Sequence, residues 1–240
     1  MRILLLADIH SNLTALRAVL EDADKKSFDK IAFLGDLIDY GMRPNETVAL
    51  IRQLELKLCC SLWGNHERAL FANETDRFAS QRGVDCSVFT KKNLTVETIE
   101  YLQRMSRNGF YDWEAEGCRC LFIHGSLQDP FWKEIAPGMQ GEGYRAYDFV
   151  FSGHSHRPHF FENYYEVDCS AMRNRKKTVF INPGSVGQPR NHNKRAQYGI
   201  FDTKTESMEF CAVSYDIEAE QSLYTEEIHS FYKERLARGI

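Results

Sequence analysis

Asp148-Phe149-Val150-Phe151-Ser152-Gly153-His154-Ser155-His156 is the stretch on which the fold turns. A short apolar run stops at a glycine, which permits an abrupt turn, and hands over to two histidines one residue apart. If the backbone stays extended there, the two imidazoles are expected on opposite sides, serving two different ions. His-x-His alone is a weak signal. Four other apolar runs end in the same manner. Ile3–Ala7 runs into Asp8-Ile9-His10, and Ile31–Leu34 into Gly35-Asp36-Leu37-Ile38-Asp39-Tyr40. Leu58–Trp63 delivers Gly64-Asn65-His66-Glu67, and Arg119–Ile123 delivers His124-Gly125-Ser126.

Unbroken apolar runs of this length read as strands buried on both faces. Between them lie helical spacings: Leu13, Leu16, Val19 and Ala23 after a cap at Ser11 or Asn12, then Val48, Ile51 and Leu54 after Pro44. A further helix is expected from about Arg68, and Val96, Ile99, Leu102 and Met105 predict another over Thr95–Met105. Gln81–Asn93 reads as loop or short helix, and Leu127–Gly143, with its prolines, glycines, Phe131 and Trp132, as a loop near the site. His159–Tyr165, Lys177–Ile181, Gln197–Asp202 and Met208–Val213 read as antiparallel strands, and Ile217–Leu236 as a terminal surface helix. Strand and helix alternate with polar residues at strand ends, which argues for an α/β sandwich whose ligands gather outside the carboxyl ends of the strands. One domain over residues 1–240 is expected, with a core over 1–202 and a C-terminal hairpin and helix over 203–240.

Composition narrows the classes. The 240 residues are 43% apolar, enough for one large domain, and the net charge of −4 gives no basic footprint for nucleic acid. Asp8 and His10 interrupt the opening apolar run too early for a secretory signal, and no stretch nears the roughly 18 residues that span a bilayer. Seven cysteines without a Cys-x-x-Cys pair read as reduced thiols of a cytoplasmic protein.

The strand-end residues define the chemistry. Imidazoles, carboxylates and one amide make a mixed nitrogen and oxygen set, which suits Mn²⁺, Fe, Ni²⁺ or Zn²⁺ better than Ca²⁺ or Mg²⁺. Asp8, His10, Asp36, Asn65, His124, His154 and His156 exceed the roughly four protein ligands of one ion, and fit two ions sharing a carboxylate. Two such ions about 3.5–4 Å apart clamp a phosphoryl group and generate hydroxide at neutral pH. His66, beside Asn65, is then the candidate general acid, and Asp39 the candidate group that orients it.

In this order, Asp-x-His, Gly-Asp-x-x-Asp, Gly-Asn-His-Glu, a strand-end His-Gly and Gly-His-Ser-His resemble the calcineurin-like metallophosphoesterases. The forms Gly35–Gly41 and Asn182-Pro183-Gly184-Ser185-Val186-Gly187 are closest to the small single-domain bacterial and archaeal phosphodiesterases. The resemblance spans roughly residues 1–202. It implies a four-layer α/β/β/α sandwich of two mixed sheets with a dinuclear site. Carried over by motif, Asp8, His10 and His156 hold the first ion, Asp36 bridges, and Asn65, His124 and His154 hold the second. His66 protonates the leaving group and Asp39 orients it. Relatives acting on phosphoproteins or dinucleoside polyphosphates have arginine after the second aspartate of Gly-Asp-x-x-Asp. Tyr40 stands there in this chain, which weakens both substrate readings.

A phosphodiesterase or phosphatase with a small phosphoester substrate is therefore expected, a nucleotide among the options. The second reading is a nuclease or dinucleoside-polyphosphate hydrolase on the same site. The third is a scaffold without activity, whose mark would be missing ligands. Asn65 and Arg190 are candidate substrate contacts, while Tyr40 reads as rim packing and His159, His192 and His229 as ordinary surface or core residues. Neither a membrane nor nucleic acid is an expected partner, and the sequence leaves oligomeric state open.

Overall fold

The computed structural model describes residues 1–139 and 141–240, so position 140 of the loop expected over 127–143 lies outside the described residues. The chain runs β1 (Arg2–Leu6), α1 (Leu13–Asp24), β2 (Lys30–Phe33), α2 (Pro44–Gln53), β3 (Leu58–Ser61), α3 (Asn65–Ala72), α4 (Gln81–Asn93) and α5 (Val96–Arg104). It continues through β4 (Phe110–Ala115), β5 (Cys118–Ile123), β6 (Phe149–Ser152), β7 (His159–Tyr164), β8 (Lys177–Asn182), β9 (Ala196–Asp202) and β10 (Ser207–Val213) to α6 (Ile217–Ser222) and α7 (Ser230–Glu234).

Two five-stranded mixed sheets result, ordered β10-β9-β1-β2-β3 and β4-β5-β6-β8-β7. In the first, β1, β2 and β3 are parallel and β9 and β10 antiparallel. In the second, β5, β6 and β8 are parallel, with antiparallel β4 and β7 at the edges. Ile3, Leu5 and Ala7 face Phe122, Phe149, Phe151 and Ile181 of the other sheet. Leu4 and Leu6 face Leu16, Val19 and Ile51 of the covering helices. Both faces of β1 are thus buried, which is why its sequence is apolar without alternation. The outer face of the second sheet is covered more thinly, by Ile135 and Tyr144, the latter on a 3₁₀ turn over Glu142–Tyr144.

Four expectations change. The late strands do not form one antiparallel set, because β8 enters the second sheet parallel to β6 while β9 and β10 join the first. Gln81–Asn93 is a full helix, burying only Gly83, Cys86, Ser87 and Thr90. The helix expected from Arg68 begins at Asn65, because the buried Glu67 carboxylate reaches back to accept the Gly64 N–H at 2.8 Å. The terminal helix is two. After α6, the chain crosses to α7 so that Ile228 and Tyr232 pack with Tyr40 and Cys86. Glu220 is fully buried against Arg43 and Thr14. This C-terminal segment braces the site instead of lying on the surface.

Candidate metal centre

The carboxyl ends of β1, β2, β5 and β6 converge, and the turns that leave them are extended by backbone pairing. His10 N–H donates to Asp36 O at 3.1 Å and Ser11 N–H to Leu37 O at 2.9 Å, while Gly153 N–H donates to His124 O at 3.0 Å. Asp8, His10, Asp36, His154 and His156 all carry positive φ, between 49° and 63°. His154 and His156 therefore diverge by a turn of the backbone. An extended strand would have sent both to the same side, so the expectation of opposite sides failed in its reason.

Two overlapping groups result. Asp8, His10, Asp36 and His156 each offer an atom to one, and Asp36, His124 and His154 to the other, the atoms of each group lying within 4.8 Å of one another. Asn65 joins the second group, its Oδ1 3.1 Å from His124 Nε2 and 2.9 Å from His154 Nδ1. Three imidazoles have their far nitrogens committed as donors: His10 Nδ1 to Ile38 O (3.0 Å), His124 Nδ1 to Leu34 O (2.8 Å) and His156 Nδ1 to Gln188 O (2.7 Å). Their Nε2 lone pairs consequently point inward.

What they meet there is more lone pairs. His10 Nε2 faces His156 Nε2 at 3.3 Å, and both His10 Nε2 and His124 Nε2 face Asp36 Oδ2, at 3.6 and 3.4 Å. The Oδ2 atoms of Asp8 and Asp36 are buried with no hydrogen-bond donor. A cluster of acceptors with few donors is unstable until cations or protons fill it, so these residues fit divalent ions. The electrostatics agree. Burial pushes the Asp8 carboxyl up to about 7 and drives His10, His154 and His156 down. Burial also opposes charge on His124, but Asp36 and Asp8 outweigh it and lift the imidazole to about 9; a proton there serves in place of a cation. Asp36, which burial alone would raise, is held well below the ordinary range by His124 and His66.

His66 stands at the edge of this cluster. Its Nδ1 lies 2.7 Å from Asp39 Oδ2, and its backbone N–H donates to Asp36 Oδ1 at 2.9 Å. Burial opposes a charge on this ring too, yet Tyr40, Asp36 and Asp39 raise it to about 10. Tyr40 packs between His10 and His66, at ring distances of 4.4 and 4.5 Å, and is backed by Tyr232 at 4.5 Å. A cleft of about 330 Å³ opens over the cluster, lined by Asp36, Asn65, His66, His154 and His156 together with Tyr40, Arg77, Phe78, Trp132 and Arg190.

Within the loop Asn182–Gly187, the polar side chains face backbone. Asn182 Nδ2 donates to Gly153 O at 2.7 Å and Ser185 Oγ to Asp8 O at 2.8 Å, so the loop braces the ligand turns. Arg190, beyond it, forms no ion pair among the described residues and lines the cleft, its Nε buried without a partner. Glu67 was not singled out from sequence although it sits inside the Gly64–Glu67 motif. Its carboxylate also accepts the N–H groups of Asp36, Leu37 and Ile38 at 3.1, 2.8 and 3.2 Å, fixing the turn that presents Asp36. A charged residue just inside a helix start, with a carboxylate-bearing turn nearby, was the available signal. Phe78 and Tyr232 gave none, because their places follow from the packing of α4 and α7.

The calcineurin-like phosphoesterase superfamily domain matches residues 1–206. The chain belongs to that superfamily. An uncharacterized protein of Methanocaldococcus jannaschii is 34% identical over 244 residues, covering 99% of this chain and 98% of that protein. A metallophosphoesterase of known structure from Sphaerobacter thermophilus is 30% identical, with a TM-score of 0.76 over the full length of both chains. A hypothetical protein of Pyrococcus horikoshii shares the fold at a TM-score of 0.82 and 20% identity, covering 100% of this chain and 98% of that one. The superfamily's phosphoesterases point to hydrolase activity, and the buried His/Asp cluster is a possible metal-binding site.

Proposed function

We propose that this chain is a phosphoesterase using two divalent ions held around Asp36, hydrolysing small phosphodiesters or phosphomonoesters. The observation that carries the reading is the pair of acceptor-rich groups meeting at one carboxylate, with a carboxylate-held histidine at their edge. Asp8, His10 and His156 would hold one ion and Asn65, His124 and His154 the other. Mn²⁺, Fe, Ni²⁺ and Zn²⁺ all suit such a donor set. When bound, the ions would neutralise phosphoryl oxygens and make a nucleophile of water at neutral pH.

The protein's own groups do the rest. Asp39 fixes His66 through Nδ1, which leaves Nε2 free to give its proton to the departing oxygen. Arg190, which lines the cleft and forms no ion pair among the described residues, presents its guanidinium to a phosphate oxygen. Tyr40 fixes the faces of His10 and His66. The cleft's volume of about 330 Å³ is at the lower end for small-molecule sites and favours a compact phosphoester over a nucleic-acid strand. Seven free thiols support a reducing, cytoplasmic setting, and no helix among the described residues is long and apolar enough to cross a membrane.

The test is turnover of bis(4-nitrophenyl) phosphate, 4-nitrophenyl phosphate, cyclic nucleotides, diadenosine polyphosphates and single-stranded DNA, after chelation and return of each metal. Asp36→Ala should abolish activity and metal retention, and His66→Gln should cost about 10²–10⁴-fold in rate on esters with poor leaving groups. Wild-type turnover in both variants would place the chemistry elsewhere, and no turnover of any substrate by the loaded protein would favour a scaffold.

A further inference from the structure

The cleft is two-sided. His154, His156 and Arg190 line it with polar and cationic groups, and Phe78 and Trp132 supply an aromatic wall. That wall stands on the side of His66. The Phe78 ring lies 5.0 Å from the His66 ring, and Trp132 meets Phe78 edge-on at 5.4 Å. Both rings are half-buried, and both line the cleft.

Trp132 is fixed from several directions. The backbone N–H groups of Phe131 and Trp132 both donate to Asp129 Oδ1 at 3.1 Å. Asp129 Oδ2 in turn accepts Arg77 at 2.6 Å, and the Arg77 guanidinium lies 4.9 Å over the Trp132 ring. A half-buried aromatic ring is commonly only packing. Two rings lining the same cleft, one of them clamped by an ion pair, and next to the side chain proposed as the acid, make a preformed apolar surface on the side where a departing group would lie.

We infer that the Phe78–Trp132 wall receives an aromatic ring carried on the leaving-group side, so that aryl or nucleoside phosphoesters are the preferred substrate class. This rests on the proposed function, because His66 marks the leaving side only if it is the acid. Stacking or edge contact with such a ring is made in the ground state and the transition state alike. It therefore lowers KM and leaves kcat unchanged.

The test uses the full chain with metal restored and the variants Phe78→Leu and Trp132→Leu, which keep apolar bulk but remove the ring. Phenyl and fluoroalkyl esters of methyl phosphate, matched in leaving-group acidity, are compared in turnover. Phenylphosphonate and methylphosphonate, and adenosine 5′-monophosphate and ribose 5-phosphate, are compared in equilibrium binding. Each variant should raise KM for the phenyl ester, and Kd for phenylphosphonate, by about 2- to 10-fold, with kcat and both non-aryl ligands unchanged. A matching loss for adenosine monophosphate alone of the sugar pair assigns the ring to a nucleobase. Equal losses in the aryl and non-aryl series, or none, overturn the inference. If the wild type turns over no ester yet prefers phenylphosphonate, and the variants erase that preference, the wall stands and the proposed reaction falls. Turnover without any aryl preference does the reverse.

Discussion

Gly64→Ala tests the way Asp36 is held. An added Cβ at Gly64 would stand 2.1 Å from Asp36 Oδ1 and 2.5 Å from Asp36 N. Ordinary carbon–heavy-atom contact is about 3.5–4.0 Å, so the carboxylate and its backbone must retreat by about 1–2 Å. The Gly64 backbone, at φ −99° and ψ −170°, is one alanine adopts freely, so the whole cost is contact. Overpacking of this kind costs about 1–3 kcal/mol, or roughly 2–12 °C in Tm for a chain of this size. Because Asp36 belongs to both groups, the displacement should also weaken metal binding by at least the roughly 10–100-fold seen when a ligand's support is disturbed, about 1.4–2.7 kcal/mol. The assay is thermal denaturation of the chelated protein with calorimetric titration of Mn²⁺ into it. Gly143→Ala is the control, because its Cβ would meet nothing closer than Leu127 Cδ1 at 3.8 Å. Wild-type melting and wild-type affinity in Gly64→Ala would refute the close packing of Gly64 on Asp36.

Asp39→Asn should leave metal content intact and lower kcat, steeply for alkyl esters and little for 4-nitrophenyl esters, whose leaving group needs no proton; an equal loss on both would reassign Asp39 to structure. In the chelated protein, charge on His124 and His66 stabilises fully below about pH 6.5 and is lost as pH rises through about 9 for His124 and about 10 for His66. Melting temperature without metal should therefore fall over that range. Excess divalent ion should reverse the trend, since binding requires the His124 proton to leave; parallel curves with and without metal would contradict this. Burial raises the Cys59, Cys60, Cys86 and Cys120 thiols and Cys169 alone is exposed, so a disulfide reagent at mild pH should find one fast thiol, and seven after denaturation.

Beta-1, β2, β5 and β6 were legible because they are buried along most of their length on both faces and announce themselves as apolar runs. Beta-4 was not. Phe110-Tyr111-Asp112-Trp113-Glu114-Ala115 forms an edge with exposed Tyr111, Asp112 and Glu114, so no such run exists. The distribution of β8, β9 and β10 between sheets is set by contacts far apart in sequence, such as Leu4 with Ile200 and Phe149 with Val179, and local patterning is silent on these. The candidate ligands were legible because each follows a strand directly. The groups that position them were not: Leu34 O, Ile38 O and Gln188 O are backbone atoms, and every residue type has them.

Asp8, His10, Ser11, Asp36, Asp39, Tyr40, His154 and His156 occupy left-handed backbone that glycine adopts freely, that asparagine, aspartate and histidine tolerate, and that Ser11 and Tyr40 resist more. Strain of this kind costs on the order of 1–3 kcal/mol per residue in the least tolerant cases, and it is concentrated at one end of the sheets. A population of this chain selected in the laboratory for heat resistance alone should shed it there first, drifting toward asparagine and glycine at those turns. Robustness gained by that route would come out of the same few positions that give the molecule its chemistry.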